Sequence, residues 1–146
     1  MTETLSFQAD IAELTRVAEW VEGVADRLEL PDQTRFALDL CLEEALANVI
    51  RYGFPDGIDA DRTVRVGLDR AEDAVLVTVE DHGVAYDPLA TAEPVLPTTL
   101  DEASIGGLGV HLMRQFTQQM AYQRQDETNR LILRIGTTEP APDPAG

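Results

Sequence analysis

A chain of 146 residues with 44% hydrophobic content is the length of one domain and can bury one good core. Its formal charge of −16, from 27 acidic and 11 basic residues, argues against nonspecific binding to nucleic acid or to an anionic membrane, both of which recruit clusters of Lys and Arg. No apolar run approaches the roughly 20 residues of a membrane span, the amino terminus lacks the charged and apolar regions of a signal peptide, and the lone Cys41 excludes an internal disulfide. A cytoplasmic protein with no direct nucleic-acid or membrane contact is expected, and Cys41 reads as a small core residue.

Leu5 and Phe7 alternate with Ser6 and Gln8, which predicts a short first strand. Asp10 is placed to cap a helix running from about Ile11 to Leu28, whose apolar residues Ile11, Leu14, Val17, Ala18, Val21, Val24, Ala25 and Leu28 recur at steps of three and four. Pro31 and Asp32 punctuate the join to a long central helix that stops at Tyr52-Gly53, with Asp32 expected to accept from its first free amides. On this helix Leu38, Leu42, Ala45, Leu46 and Val49 share one apolar face, and Ala37, Leu40 and Cys41 make the other side apolar or small as well. Glu44 and Asn48, four apart, lie together on that second side. Buried polar groups need a hydrogen-bond partner or a ligand, so the pair faces a pocket or else belongs to a solvated ridge with Asp39 and Glu43. Helix geometry leaves both readings open.

Two alternating segments, Thr63 to Asp69 and Ala74 to Asp81, predict a hairpin joined by a short polar turn. From His82 to Ser104 the chain has three prolines and little periodicity, a length expected of a lid rather than of a connector. Gly106-Gly107-Leu108-Gly109 then opens an amphipathic helix carrying Val110, Leu112, Met113 and Phe116. Strands over Ala121 to Gln125 and Leu131 to Ile135 follow, and the proline-rich stretch 137–146 is expected to be a flexible tail on a single domain of residues 1–136. This order favours an α+β two-layer sandwich, an antiparallel or mixed sheet under helices.

Three stretches carry chemistry: Glu44-Ala-Leu-Ala-Asn48 on the central helix, Asp81-His82-Gly83 leaving a strand, and Gly106-Gly107-Leu108-Gly109 entering a helix. Each alone is weak, since Asp-x-Gly is often a turn and a glycine cluster is often a cap. In this order and spacing they resemble the N, G1 and G2 boxes of the GHKL (histidine kinase-like) ATPase superfamily. The compact form, with 106–114 and the run from Tyr122 through Asn129 to Leu133, resembles the stand-alone anti-sigma factor serine-protein kinases. That resemblance implies the Bergerat ATP-binding fold, ATP and Mg²⁺ as cofactors, a homodimer, and two partners: a sigma factor and a STAS-domain anti-sigma antagonist phosphorylated on serine. It implies Asn48 as the Mg²⁺ ligand, Glu44 as general base and Asp81 as acceptor for the adenine amino group. Gly83 would let the base approach, and Thr99 with Gly106, Gly107, Leu108 and Gly109 would bind phosphate. Arg16, in a Leu-Thr-Arg-Val context, resembles an arginine that such kinases place near the terminal phosphate. The resemblance leaves His82 and His111 without a phosphoacceptor role, the first at the base of the lid and the second on a helix surface.

Two departures stand out. Ala85 occupies the place of the second G1 glycine in many relatives, and no Lys or Arg lies between Asp81 and Arg114. Thr98, Thr99 and Ser104 offer hydrogen bonds without charge, so charge stabilisation of phosphoryl transfer falls to Mg²⁺ and Arg16. The alternative expectation is therefore a catalytically weak GHKL module that acts as a switch by sequestering a partner.

Overall fold

The computed structural model describes residues 2–57, 60–90 and 108–137. Its described elements run β1 (Thr2–Gln8), a 3₁₀ turn (Ile11–Glu13), α1 (Leu14–Arg27), α2 (Asp32–Tyr52), β2 (Thr63–Arg70), β3 (Ala74–Asp81), a second 3₁₀ turn (Pro88–Ala90), α3 (Leu108–Phe116), β4 (Gln119–Gln125) and β5 (Thr128–Gly136). The five strands form one sheet in the order β1-β2-β3-β5-β4, every neighbouring pair antiparallel. The fold is α+β, and the sheet is antiparallel throughout.

Period-two alternation builds the inner face. Register aligns Leu5, Val66, Val79, Leu131 and Tyr122 in one row and Phe7, Val64, Asp81, Asn129 and Arg124 in the next. The opposite face carries polar pairs such as Arg130 with its register partner Glu80, 3.1 Å apart. Over the inner face lies α2, buried through Ala37, Leu38, Cys41, Leu42, Ala45 and Leu46. It is apolar on more than one side because the sheet, α1 and α3 all pack on it. Thr34 near its start donates to the Gly136 carbonyl at 2.8 Å and ties it to the end of β5.

Several boundaries depart from expectation. Asp10 does cap, accepting from the Ala12 amide, but the first turn is 3₁₀ and leaves Ile11 71% exposed rather than in the apolar stripe. Asp32 is not a cap: Pro31 holds that position with extended backbone and no side-chain hydrogen bond, and Asp32 sits inside the first turn, where its charge still favours the helix dipole. Helix α1 ends through Glu29 in a left-handed conformation (φ 54°), with the Leu30 amide on the Ala25 carbonyl at 3.0 Å. Val49 is half-buried. Phe116, one of the apolar residues of the amphipathic α3, is 36% exposed and meets Phe36, itself 60% exposed, edge to face at 5.6 Å. No described helix is long and apolar enough to cross a membrane.

Candidate functional site

In β3 the inward positions Val75, Val77 and Val79 are buried, and the next position in that phase is Asp81, 5% exposed. A carboxylate in line with three valines must be satisfied by its neighbours. Its register partner on β5 is Asn129, which stands in the same phase relation to Leu131, Leu133 and Ile135. Asn129 Nδ2 donates to Asp81 Oδ1 at 3.0 Å and to the Val84 carbonyl at 2.8 Å, while the Gly83 amide donates to Asp81 Oδ1 at 2.9 Å. Tyr122 on β4 donates to Asn129 Oδ1 and accepts from the Tyr86 amide. Burial raises the pKa of the Tyr122 hydroxyl. From the end of β4 Arg124 donates to the Gly83 carbonyl at 2.8 Å.

Asn48, buried on α2, faces the same place. A cavity of about 30 Å³ is lined by Ala45, Asn48, Asp81, Tyr86, Tyr122 and Asn129 among others, so the structure brings the amide of the central helix and the carboxylate of β3 together. At one flank Tyr86 stacks on Tyr52, the last residue of α2, with ring centroids 4.9 Å apart. Two hollows of about 740 and 730 Å³ are much larger, but neither is lined by Glu44, Asn48 or Asp81. Convergence of polar groups makes this cavity the candidate site, and volume does not. In the 740 Å³ hollow between α1 and α2, burial and the nearby Glu22 and Glu43 raise the pKa of Asp39.

Glu44, one turn before Asn48, is half-buried against the start of α3. A Cβ built on Gly109 would lie 1.9 Å from Glu44 Oε1 and 2.1 Å from its Cδ. Only glycine leaves room there for the carboxylate. Gly83 has a comparable role with a different neighbour, because its added Cβ would stand 2.2 Å from the Gly53 carbonyl oxygen. The Val84 amide donates to that carbonyl at 2.8 Å, so Gly83 lets the loop after β3 lie against the end of α2. Packing, apart from any ligand, accounts for this glycine.

Arg16 is drawn elsewhere. Its guanidinium bonds Glu13 at 2.9 Å and the Ser6 carbonyl at 3.2 Å, and no described contact joins it to Glu44, Asn48 or Asp81. Arg114 donates to the Leu89 carbonyl at 3.0 Å, so it and Arg124 hold the loop that the sequence left without cations. His82 is exposed beside Thr128, and His111 is half-buried beside Gln115, each at 3.2 Å. Thr98, Thr99, Ser104, Gly106 and Gly107 lie outside the described residues, as does the tail beyond Thr137, and of Leu108 only the backbone is described. Among the described residues no three of His, Cys, Asp and Glu are grouped to hold a metal. Cys41 is buried, as expected of a small core residue, and burial pushes its pKa up to about 11. Asn129 and Tyr122 were not among the residues singled out for the site; the signal for them was Asn129 standing two residues before Leu131 in the inward phase.

Residues 7–135 match the histidine kinase-like ATPase domain, and the chain belongs to that family. It is 35% identical over 142 residues to the serine/threonine-protein kinase BtrW of Bordetella bronchiseptica, covering 97% of this chain and 96% of that one. It is 28% identical over 94 residues to an anti-sigma F factor of Clostridium perfringens, covering 64% of this chain and 66% of that one. A crystal structure of the RsbU and RsbW domains of a Mycobacterium tuberculosis protein superposes with a TM-score of 0.67 over 97% of this chain and 34% of that chain. At 11% identity this likeness shows the fold alone. Anti-sigma factors and serine-protein kinases thus recur among the relatives.

Proposed function

We propose that this chain binds ATP with Mg²⁺ and acts as a serine-protein kinase of the anti-sigma type, holding a sigma factor and phosphorylating a STAS-domain antagonist on serine. The convergence of Asn48 and Asp81 on one cavity, with Glu44 a helical turn from Asn48 and pressed against Gly109, carries the reading. Among the described residues the hydrogen bonds to Asp81, from Gly83 and Asn129, both fall on Oδ1, which leaves Oδ2 for an adenine amino group. The amide oxygen of Asn48, which lines the cavity, is a hard donor of the kind Mg²⁺ takes alongside waters and substrate phosphates. Asn48 would supply its amide oxygen to the ion. Bound ATP supplies the phosphoryl group; Glu44 accepts the serine proton as the oxygen–phosphorus bond forms and ADP leaves. Gly106, Gly107, Leu108 and Gly109 would offer amides to phosphate at the start of α3, where the dipole favours an anion.

At about 30 Å³ the cavity is far smaller than an ordinary ligand pocket, so a purine enters only if the residues lining it give way. The test is titration of ATP and ADP, with and without Mg²⁺, into the wild type, Asn48→Ala and Asp81→Asn. Micromolar Mg²⁺-dependent binding that both variants lose supports the reading, and absence of binding by the wild type overturns it.

A second reading, a switch that works by sequestration without transfer, is favoured by the engagement of the candidate cations away from a phosphate. Arg16, Arg114 and Arg124 each bond carbonyls or a carboxylate of the chain itself. Phosphorylation of a STAS-domain antagonist at a rate of about 0.01 per second or faster, far above an unaided reaction, would exclude it.

A further inference from the structure

Asp81 owes its orientation to residues that lie behind it. Its Oδ1 accepts from the Gly83 amide at 2.9 Å and from Asn129 Nδ2 at 3.0 Å, which fills both lone-pair directions of that oxygen. Asn129 spends its second amide hydrogen on the Val84 carbonyl at 2.8 Å. Its Oδ1 accepts from the Tyr122 hydroxyl, which in turn receives the Tyr86 amide. The Asn129 amide therefore has one allowed orientation: a flip would set its oxygen against the Asp81 carboxylate and the Val84 carbonyl and its NH₂ against the Tyr122 hydroxyl, which already donates toward it. Asn129 is 5% exposed, too buried for water to substitute freely.

We propose that Tyr122 and Asn129 form a positioning relay that fixes Asp81 as a one-oxygen acceptor and thereby makes the site select a base bearing an exocyclic amino group. The inference rests on the ATP-binding reading and names what sets its specificity. A base with a carbonyl at that place meets the free Asp81 oxygen acceptor to acceptor, and the buried carboxylate loses its partner. Were Asp81 free to rotate, it could turn that oxygen away or admit water, and the discrimination would fall. Neither Tyr122 nor Asn129 needs to touch the base; both act through Asp81.

The experiment compares affinities for ATP and for inosine triphosphate, which differ at this group, in the wild type, Tyr122→Phe and Asn129→Ala. Thermal unfolding is measured alongside. The wild type is expected to prefer ATP by at least about 100-fold, as sites built to pair a polar group do. Asn129→Ala should lower the ATP-to-inosine-triphosphate ratio by about 10-fold or more, and Tyr122→Phe by about 3- to 5-fold, the scale of one hydrogen bond. Because Tyr122→Phe keeps the ring, it separates the relay from a folding defect should Asn129→Ala unfold. Equal weakening of both nucleotides, or an unchanged ratio in a folded Tyr122→Phe, would show that the network merely holds the loop and would overturn the proposal. A wild type that binds both nucleotides equally overturns the specificity but leaves nucleotide binding standing; one that binds neither overturns the ATP reading itself.

Discussion

The two ends of the candidate site are built by different means. Around Asp81 directional hydrogen bonds converge: the loop after β3 and β5 bond the carboxylate itself, and β4 bonds those two partners in turn. Around Glu44 the described restraint is steric: the side chain lies in space that Gly109 leaves by having no Cβ. A bonded corner suits recognition of a fixed shape, because its donors and acceptors are set before a ligand arrives. A corner defined by room suits a group that must shift slightly as a proton and a phosphoryl group move.

The sharpest way to break this contrast is to disturb the steric corner alone. Glu44→Gln should lower phosphoryl transfer by about 10²- to 10⁴-fold, the usual contribution of a general base, with nucleotide affinity nearly unchanged. Gly109→Ala keeps the carboxylate but forces it aside, and should cost about 10²-fold in transfer by misplacement. Single-turnover phosphorylation read beside nucleotide titration checks both. Equal transfer rates in Glu44→Gln would remove the base role.

Thiol labelling sharpens the comparison from within α2. Cys41 lies one turn before Ala45 on the buried flank, and with its pKa near 11 it holds about a hundredfold less thiolate at pH 8 than a thiol at the ordinary 9.0. Native protein should react with a disulfide reagent at least about a hundredfold more slowly than unfolded protein. If Gly109→Ala accelerates labelling, the steric corner is coupled to the packing of the whole helix; an unchanged rate confines the damage to Glu44.

The bonded corner has its own breaking point. Gly83→Ala sets a Cβ 2.2 Å from the Gly53 carbonyl oxygen, and backbone on both sides leaves no flexible side chain to yield. A loss of about 2–3 kcal/mol in denaturant unfolding is expected, with weaker ATP binding because the Val84 and Gly83 amides move with the loop. A fully stable variant would show that the loop has a second seat against α2.

Much of this arrangement was legible in the chain because its signals are periodic. Val75, Val77 and Val79 announce β3, and the apolar steps of Leu38, Leu42 and Ala45 announce α2. Asp81 and Asn48 were marked by the order and spacing of three short motifs and the family resemblance these carry, since helix geometry alone left Asn48 open between a pocket and a solvated ridge. Asn129 carried a signal of its own, polar at an inward phase, but one residue in a short strand is easily read as the strand's solvated beginning. The partners of Arg114 and Arg124 were not legible at all. An arginine's reach is set by where strands and helices dock, so a segment without cations of its own, 82–90, acquired two from elements 25 and 41 residues away. The end of α1 was hidden for another reason. Its left-handed residue is Glu29 and not the glycine that usually marks such a cap.

That cap supplies the smallest expected effect and the control for the others. Glu29 holds φ at 54° in a conformation glycine adopts without a Cβ penalty. Glu29→Gly relieves that strain but gives the unfolded chain more freedom, and a net gain of about 0.5–1 kcal/mol is expected where relief dominates. The Arg70 guanidinium bonds the Leu28 and Glu29 carbonyls, which any residue supplies, so the substitution leaves that contact in place. Neither corner of the site touches this turn. Stability should therefore rise while ATP affinity, base selectivity and transfer rate stay level. A Glu29→Gly variant that altered any of the three would show that stability alone moves them, and the losses in Gly83→Ala and Asn129→Ala would have to be reread as weakened folding rather than as lost positioning.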